Sequence, residues 1–452
     1  MTNQAPLGWL GILRLGLVQT ALGSIVVLAT STLNRVMVVE IALPAIVPGL
    51  LVALHYAAQV LRPRLGFGSD VGGRRTPWIV GGMAALSAGG ILAACATAWM
   101  TTNILAGIGL AVVAFTLIGT GVAACGTTLL VLLAKRTDER RRPAAATIVW
   151  VMMIAGFAVT AGTAGHLLDP FSPGRLVVVT SGVAIIALLV TMLAVWNIEG
   201  PTPAPLGAMP TASAARASFR DALRDVWEEP QTRRFAIFVF ISMMAYSAQE
   251  LILEPFAGVT FGYTPGETTK LSGLQHGGVL AGMIFVAMAG SATGGRRFGS
   301  MKMWTVAGCI ASAAALLDLV VAGLVGPAWP LRASVFALGA ANGIYAVAAI
   351  GSMMSFVDKG VRSREGVRMG LWGAAQAIAF GLGGILGTLA SDLARLVLAT
   401  PGPAYALVFA LESGLFVIAA VLAVRIGRPV EATRNFSPAV GGALSAAIAK
   451  VE

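Results

Sequence analysis

Charge is what this sequence has least of. Asp, Glu, Lys and Arg together make up 11% of 452 residues, apolar side chains make up 57%, and mean hydropathy is +0.83. So little polar surface cannot clothe a water-soluble globule, which leaves lipid as the solvent. The three cysteines, Cys95, Cys125 and Cys309, lie inside apolar runs at no ligand spacing. That excludes a disulfide framework and a structural zinc site and makes them small core residues. No phosphate loop, zinc motif, nucleotide fingerprint or Ser-His-Asp arrangement stands in a loop where chemistry could occur, so the chain reads as a non-enzyme. The N-terminus also lacks the basic region, short apolar stretch and small-residue cleavage site of a signal peptide, so the first helix is expected to be a retained anchor.

What the sequence has in abundance is apolar runs of about 20 residues, and in hydrocarbon such runs must pair their own backbone groups as helices. About twelve are expected. In the first half they lie near 12–38, 43–66, 77–98, 104–134, 144–167 and 175–196. In the second they lie near 235–257, 270–293, 303–325, 333–357, 369–391 and 404–425. Between the halves, Pro201, Pro203, Pro205 and Pro210 make an extended linker, followed by a short amphipathic stretch at 218–227 with Phe219, Leu223, Val226 and Trp227 on one face. The expected organisation is a six-helix bundle over 1–196, a cytoplasmic linker over 197–234, a second bundle over 235–425 and a cytoplasmic tail over 426–452.

All but five of the 31 basic residues, namely Arg35, Arg175, Lys270, Arg332 and Arg395, fall on one side if the N-terminus is cytoplasmic. The positive-inside rule then puts both termini in the cytoplasm. The pI near 10.3 belongs to this topology and to anionic lipid, and gives no reason to invoke nucleic acid.

Two loops carry the repeat. Arg62-Pro63-Arg64-Leu65-Gly66-Phe67-Gly68-Ser69-Asp70-Val71-Gly72-Gly73-Arg74-Arg75 packs four arginines between two apolar runs, and a second Gly-Gly-Arg-Arg stands at 294–297. The core of the first, Gly66-x-x-x-Asp70-x-x-Gly73-Arg74-Arg75, resembles the loop between the second and third helices of major facilitator superfamily transporters. The resemblance implies an all-α integral membrane protein with two pseudo-symmetric six-helix bundles. It also casts Gly66, Asp70, Gly73, Arg74 and Arg75 as a conformational loop. The chain departs from that pattern at Val71, where many transporters carry a basic residue, and at Ala292, the counterpart of Asp70.

Polar groups inside the helices are costly in hydrocarbon and tend to face a cavity, a partner or a ligand. They are Gln19, Asn34, Arg35, Glu40, His55, Gln59, Glu250, Glu254, Gln275, His276, Asp318, Asn342, Gln376 and Glu412. Tyr246, Glu250 and Glu254 are spaced by four and share one stripe of the seventh helix. Arg35 and Glu40 bracket the turn between the first and second helices. With Glu250 and Glu254 they form an expected outer ionic cluster; the alternative is that Arg35 and Glu40 are each solvated by headgroups. His55 and His276 stand at nearly equivalent places in helices two and eight. A neutral imidazole is a good axial base for a tetrapyrrole metal, and Gln59, one turn after His55, is placed to bond a ring substituent. His55 is the stronger candidate from its position nearer mid-helix; the plain alternative is a packed histidine bonded to a neighbouring helix. The glycines at 81, 82, 89, 90, 381, 383, 384 and 387 suit close approach of flat rings or of partner helices.

Leu33-Asn34-Arg35-Val36-Met37-Val38-Val39-Glu40, Ser69 to Ile79, Lys135-Arg136-Thr137-Asp138-Glu139-Arg140 and Gln249-Glu250-Leu251-Ile252-Leu253-Glu254-Pro255 together resemble the PucC and LhaA family of phototrophic bacteria, the bacteriochlorophyll-delivery branch of the major facilitators. The Gly-Phe-Gly-Ser-Asp-Val-Gly-Gly-Arg-Arg loop is closer to the LhaA core-antenna group. This resemblance implies an inner (intracytoplasmic) membrane factor that binds bacteriochlorophyll and hands it to antenna polypeptides of the core light-harvesting and reaction-centre complex. Pigment synthase and membrane-insertion machinery are further implied partners, and carotenoid is left unspecified. The competing reading is a secondary transporter of a small amphipathic solute, with Glu250, Glu254 or Asp318 exchanging protons.

Overall fold

A computed structural model describes residues 7–59, 62, 74–138, 141–199, 227–290, 300–357, 365–398 and 400–426. Among these, every regular element is helical: α1 (Trp9–Glu40), α2 (Ile46–Ala58), α3 (Thr76–Met100), α4 (Ile104–Arg136), α5 (Arg142–Leu167), α6 (Pro173–Val195), α7 (Pro230–Phe261), α8 (Pro265–Gly290), α9 (Met301–Val325), α10 (Leu331–Val357), α11 (Glu365–Val397) and α12 (Pro401–Arg425). Eleven are long and apolar enough to cross a membrane, and α2 is a shorter apolar helix. Their ends follow local chemistry. Asn103, Ser172 and Ser300 accept from the backbone N–H three residues on, proline opens α3, α5, α6, α7 and α12, and Gly262 closes α7 with φ +70°.

Packing repeats with a shift of six helices. In the first half α3 packs on α4 and α6, α1 on α5 and α6, and α2 on α4; in the second α9 packs on α10 and α12, α7 on α11 and α12, and α8 on α10. Two main cores result, one built from α1–α6 with Leu251 of α7 and one from α7–α12, and a smaller cluster of Met153, Ile154, Val279 and Met283 joins α5 to α8. The halves meet where α5 packs on α8 and α2 on α11, a pair of contacts that the same pseudo-two-fold exchanges. This is a major facilitator fold.

The outward faces carry exposed apolar side chains, such as Val178, Ile186 and Leu193 on α6 and Leu411, Ile418 and Val421 on α12. The polar groups lie inward instead. That inversion fits a multi-pass membrane protein, in which backbone groups are satisfied within helices and packing is driven by close contact. Closest of all is α8 on α10. A Cβ at Gly278, Gly282, Gly339 or Gly343 would run into a backbone carbonyl of the facing helix, those of Phe336, Ala340, Gln275 and Val279 respectively.

Two expectations that left alternatives open are narrowed. α1 continues to Glu40, so Arg35 stands within the helix, 2% exposed, and is not at a headgroup-solvated turn. Its last turns are two π-helical stretches, Leu28–Thr32 and Val36–Glu40. Of the eight glycines suited to rings or to partner helices, four admit helices: Gly82 and Gly89 meet the α4 backbone and Gly383 and Gly387 the α7 backbone. The surface helix expected over 218–227 lies outside the described residues except for Trp227, as do Gly66, Asp70 and Gly73.

Candidate functional site: a polar cluster between the halves

The face of the molecule bearing the α1–α2 and α7–α8 turns is sealed by hydrogen bonds from one half to the other. The π-helical turns widen α1 and turn Ser31, Asn34 and Arg35 toward α7. Ser31 Oγ donates to Glu254 Oε1. Thr32 bonds Thr269 at 3.0 Å. Arg35 pairs with Glu40 of its own helix and donates through Nη2 to the Tyr263 carbonyl at 2.7 Å. Gly258 makes room for it, since a Cβ there would stand 3.0 Å from Nη2.

Asn34 solves a problem that α7 creates. Pro255 lies inside α7, and a proline has no N–H to give the carbonyl four residues back, that of Leu251. Asn34 Nδ2 donates to that carbonyl at 2.6 Å. A defect in one half is therefore satisfied by a side chain of the other.

Glu250 and Glu254 share a stripe but divide in role. Glu254 is 2% exposed and bonded to Ser31. Glu250, with an 18% exposed side chain, faces His276, whose Nε2 lies 3.8 Å from Glu250 Oε1. His276 Nδ1 is 2.9 Å from the Ser272 carbonyl; a carbonyl only accepts, so Nδ1 carries the proton and Nε2 is left toward Glu250. Phe157 of α5 stands edge-on to the imidazole at 5.0 Å, and Phe380 of α11 lies 5.2 Å from Tyr56 and 5.9 Å from Tyr246. The expected outer ionic cluster is thus two arrangements: Arg35 with Glu40, and Glu250 with His276.

His55 has a different environment. Gln59 Nε2 is 3.0 Å from His55 Nε2, and Gln59 Oε1 accepts from Arg62. Because a guanidinium only donates, the Gln59 amide turns its NH₂ to the histidine, whose Nε2 accepts. His55 Nδ1 then bears the proton, buried and without a partner. The histidine is 2% exposed and its carbonyl packs on Gly119 of α4. His166 is exposed at the end of α5.

Three carboxylates that the sequence reading did not single out do comparable work. Asp392 of α11 accepts from the backbone N–H groups of Ala45 and Ile46 at 3.0 and 2.9 Å, capping α2 from the opposite half. Asp169, after α5, accepts from Thr264 at 2.9 Å and pairs with Lys270 of α8 at 3.1 Å. The two sites are exchanged by the pseudo-two-fold, and each sets a carboxylate at the positive end of a helix across the interface. Glu199 accepts from the Arg75 and Thr76 N–H groups at 2.7–2.9 Å and caps α3, tying the end of the arginine loop to the end of α6. Arg74 is exposed. Among the described residues no group of three His, Cys, Asp or Glu is arranged to hold a metal ion.

A family model described as "PUCC protein" matches residues 32–430, from the sealed end of α1 to beyond α12. The chain belongs to the PUCC protein family. A Rhodobacter capsulatus protein named "Bacteriochlorophyll synthase 44.5 kDa chain" is 52% identical over 417 residues, 92% of this chain and 95% of that protein. Protein PucC of the same organism is 29% identical over 444 residues, 94% and 93% of the two chains. Among solved structures, a D-xylose-proton symporter superposes with a TM-score of 0.71 at 16% identity, covering 92% of this chain and 97% of that one. The nucleoside transporter NupG gives 0.65 at 15% identity, covering 93% of this chain and 100% of that one. These two likenesses carry the fold alone. Family and fold together make this a multi-pass membrane protein of a photosynthesis-associated family.

Proposed function

We propose that this protein is an inner-membrane assembly factor that receives bacteriochlorophyll and hands it to antenna polypeptides of the core light-harvesting complex, with no covalent step. Membership of the PUCC family across nearly the whole chain carries this reading, and the relative named for bacteriochlorophyll supports the pigment. The face of the α1–α2 turn is assigned to the periplasm and both termini to the cytoplasm, from the distribution of basic residues. The division at 197–234 is kept as the boundary between the two halves.

Bacteriochlorophyll as cargo is a broad apolar ring whose metal takes one axial base. Two histidines are candidates, and their hydrogen bonds rank them. His276 donates Nδ1–H to a backbone carbonyl, the arrangement that orients an imidazole to offer Nε2 as a ligand. His55 has its Nε2 engaged by Gln59 and offers an unpartnered Nδ1–H, which suits a ring carbonyl better than a metal. His276 therefore takes the axial role and His55, with Gln59, a hydrogen-bonding role, reversing the order favoured by helix position alone.

His276→Phe and His55→Phe, purified in mild detergent from a pigment-making host, test this. His276→Phe is expected to lose copurifying far-red pigment, and His55→Phe to retain it with a shifted absorbance. Pigment at the wild-type ratio in His276→Phe refutes the axial role, and an unshifted absorbance in His55→Phe refutes the hydrogen-bonding role. The Glu250–His276 contact favours one second reading, a proton-coupled transporter of an amphipathic solute. A colourless protein that purifies without antenna polypeptides and moves protons in vesicles would select it.

A further inference from the structure

Behind the inter-half cluster, inside the second bundle, four polar atoms are buried without partners on two facing helices: Gln249 Nε2 and Oε1 on α7, and Glu412 Oε1 and Oε2 on α12. Gln249 is 0% and Glu412 2% exposed. Two contacts bracket them. On one side Phe256 of α7 meets Tyr405 and Phe409 of α12, at 5.6 and 5.1 Å. On the other, Tyr345 of α10 donates to Ser242 of α7 at 2.7 Å and stands 5.9 Å from Phe416 of α12. Gln249 lies two turns from Phe256 on the same helix face, and Glu412 two turns from Tyr405. Because the helices run antiparallel, the two residues occupy one level of one seam.

An ionised carboxylate there would be a lone charge in an apolar core. Titratable and charged groups along the membrane-spanning parts of the surrounding helices include Tyr246, Glu250 and Glu254 on α7, Cys309 and Asp318 on α9, Tyr345 on α10, Asp392 and Arg395 on α11, and Tyr405 on α12 itself; none of them bonds Glu412. A buried anion without counter-ion or donors is the costliest state available to it. Adding one proton changes the count. A carboxylic acid has one donor and one acceptor oxygen, a primary amide has one carbonyl and an NH₂, and two reciprocal hydrogen bonds satisfy all four orphaned atoms.

We propose that Glu412 is a proton-binding site: it is held as a neutral carboxylic acid that forms a cyclic acid–amide pair with Gln249, pinning α12 to α7. In that pair, reached by rotation of two side chains that stand unbonded in the structure, Glu412 donates its O–H to Gln249 Oε1 and accepts from Gln249 Nε2. Gln249 directly precedes Glu250, so the proton on Glu412 secures the rear of the helix that presents Glu250 and Glu254 to the first half.

Infrared spectroscopy of the purified full-length protein in lipid nanodiscs tests this through the carbonyl band of protonated carboxylic acids, which stands apart from carboxylate and amide absorption. Wild-type protein at neutral pH is expected to show an acid band that Glu412→Gln removes. Gln249→Leu, an apolar replacement of similar size, is expected to keep that band but shift it to higher frequency as its hydrogen bonds are lost. An acid region identical in wild type and Glu412→Gln would overturn the neutral acid. A band unmoved by Gln249→Leu would overturn the pair, and that variant is informative even if Glu412→Gln fails to fold.

Discussion

If Asn34 is present to satisfy the carbonyl that Pro255 strands, its contribution must depend on the proline. Asn34 is 1% exposed and its Nδ2 meets the Leu251 carbonyl at 2.6 Å. Asn34→Leu keeps bulk and leaves that carbonyl buried and unpaired, a loss worth roughly 1–3 kcal/mol. Asn34 Oδ1 is itself unpartnered, so the substitution also removes a buried orphan acceptor and brings the expected cost to about 1–2 kcal/mol. In a Pro255→Ala background residue 255 regains an N–H, the helix closes its own bond to Leu251, and Asn34→Leu is expected to cost less than about 0.5 kcal/mol. The coupling of about 1 kcal/mol is a roughly five-fold change in an unfolding constant, resolvable in a double-mutant cycle. Detergent-titration unfolding of the four proteins in mixed micelles, followed by tryptophan fluorescence, measures it. An equal cost of Asn34→Leu with and without the proline would refute the reasoning and reduce the contact to incidental packing.

Two further outcomes are expected. Gly343→Ala drives a methyl into the Val279 carbonyl on α8 and should destabilise the second bundle by about 1–3 kcal/mol or more, whereas Gly81→Ala, which meets open space, should leave the unfolding midpoint unchanged; equal effects would contradict the close α8–α10 contact. Asp70→Asn should reduce antenna assembly at near-normal protein abundance, and antenna spectra at wild-type amplitude would remove the arginine loop from the mechanism.

Hydropathy and the position of basic residues sufficed for the number of helices and for the two related halves, because a backbone in hydrocarbon has almost no alternative to a helix. The sequence also made many of the buried polar residues conspicuous within apolar runs: Asn34, Arg35, Glu250, Glu254, His55, His276 and Glu412 were all visible there, while Gln249 was passed over. Periodicity even predicted the shared stripe of Glu250 and Glu254.

What those residues bond to was decided by tertiary structure alone. Helical spacing says which residues share a face, but not which helix that face meets, at what depth or in what rotation, and a shift of one residue turns a side chain by about 100°. Thus Arg35 chose Glu40 and a backbone carbonyl over the two glutamates of α7, His276 took Glu250, and Gln59 found its partner in His55. Asp392, Asp169 and Glu199 escaped notice because carboxylates near helix ends look solvated in one dimension; only the fold sets the amino end of a distant helix against them. Composition can declare that a polar atom must find a partner, but a partner 217 positions away, as the Leu251 carbonyl is from Asn34, exists only once twelve helices have packed.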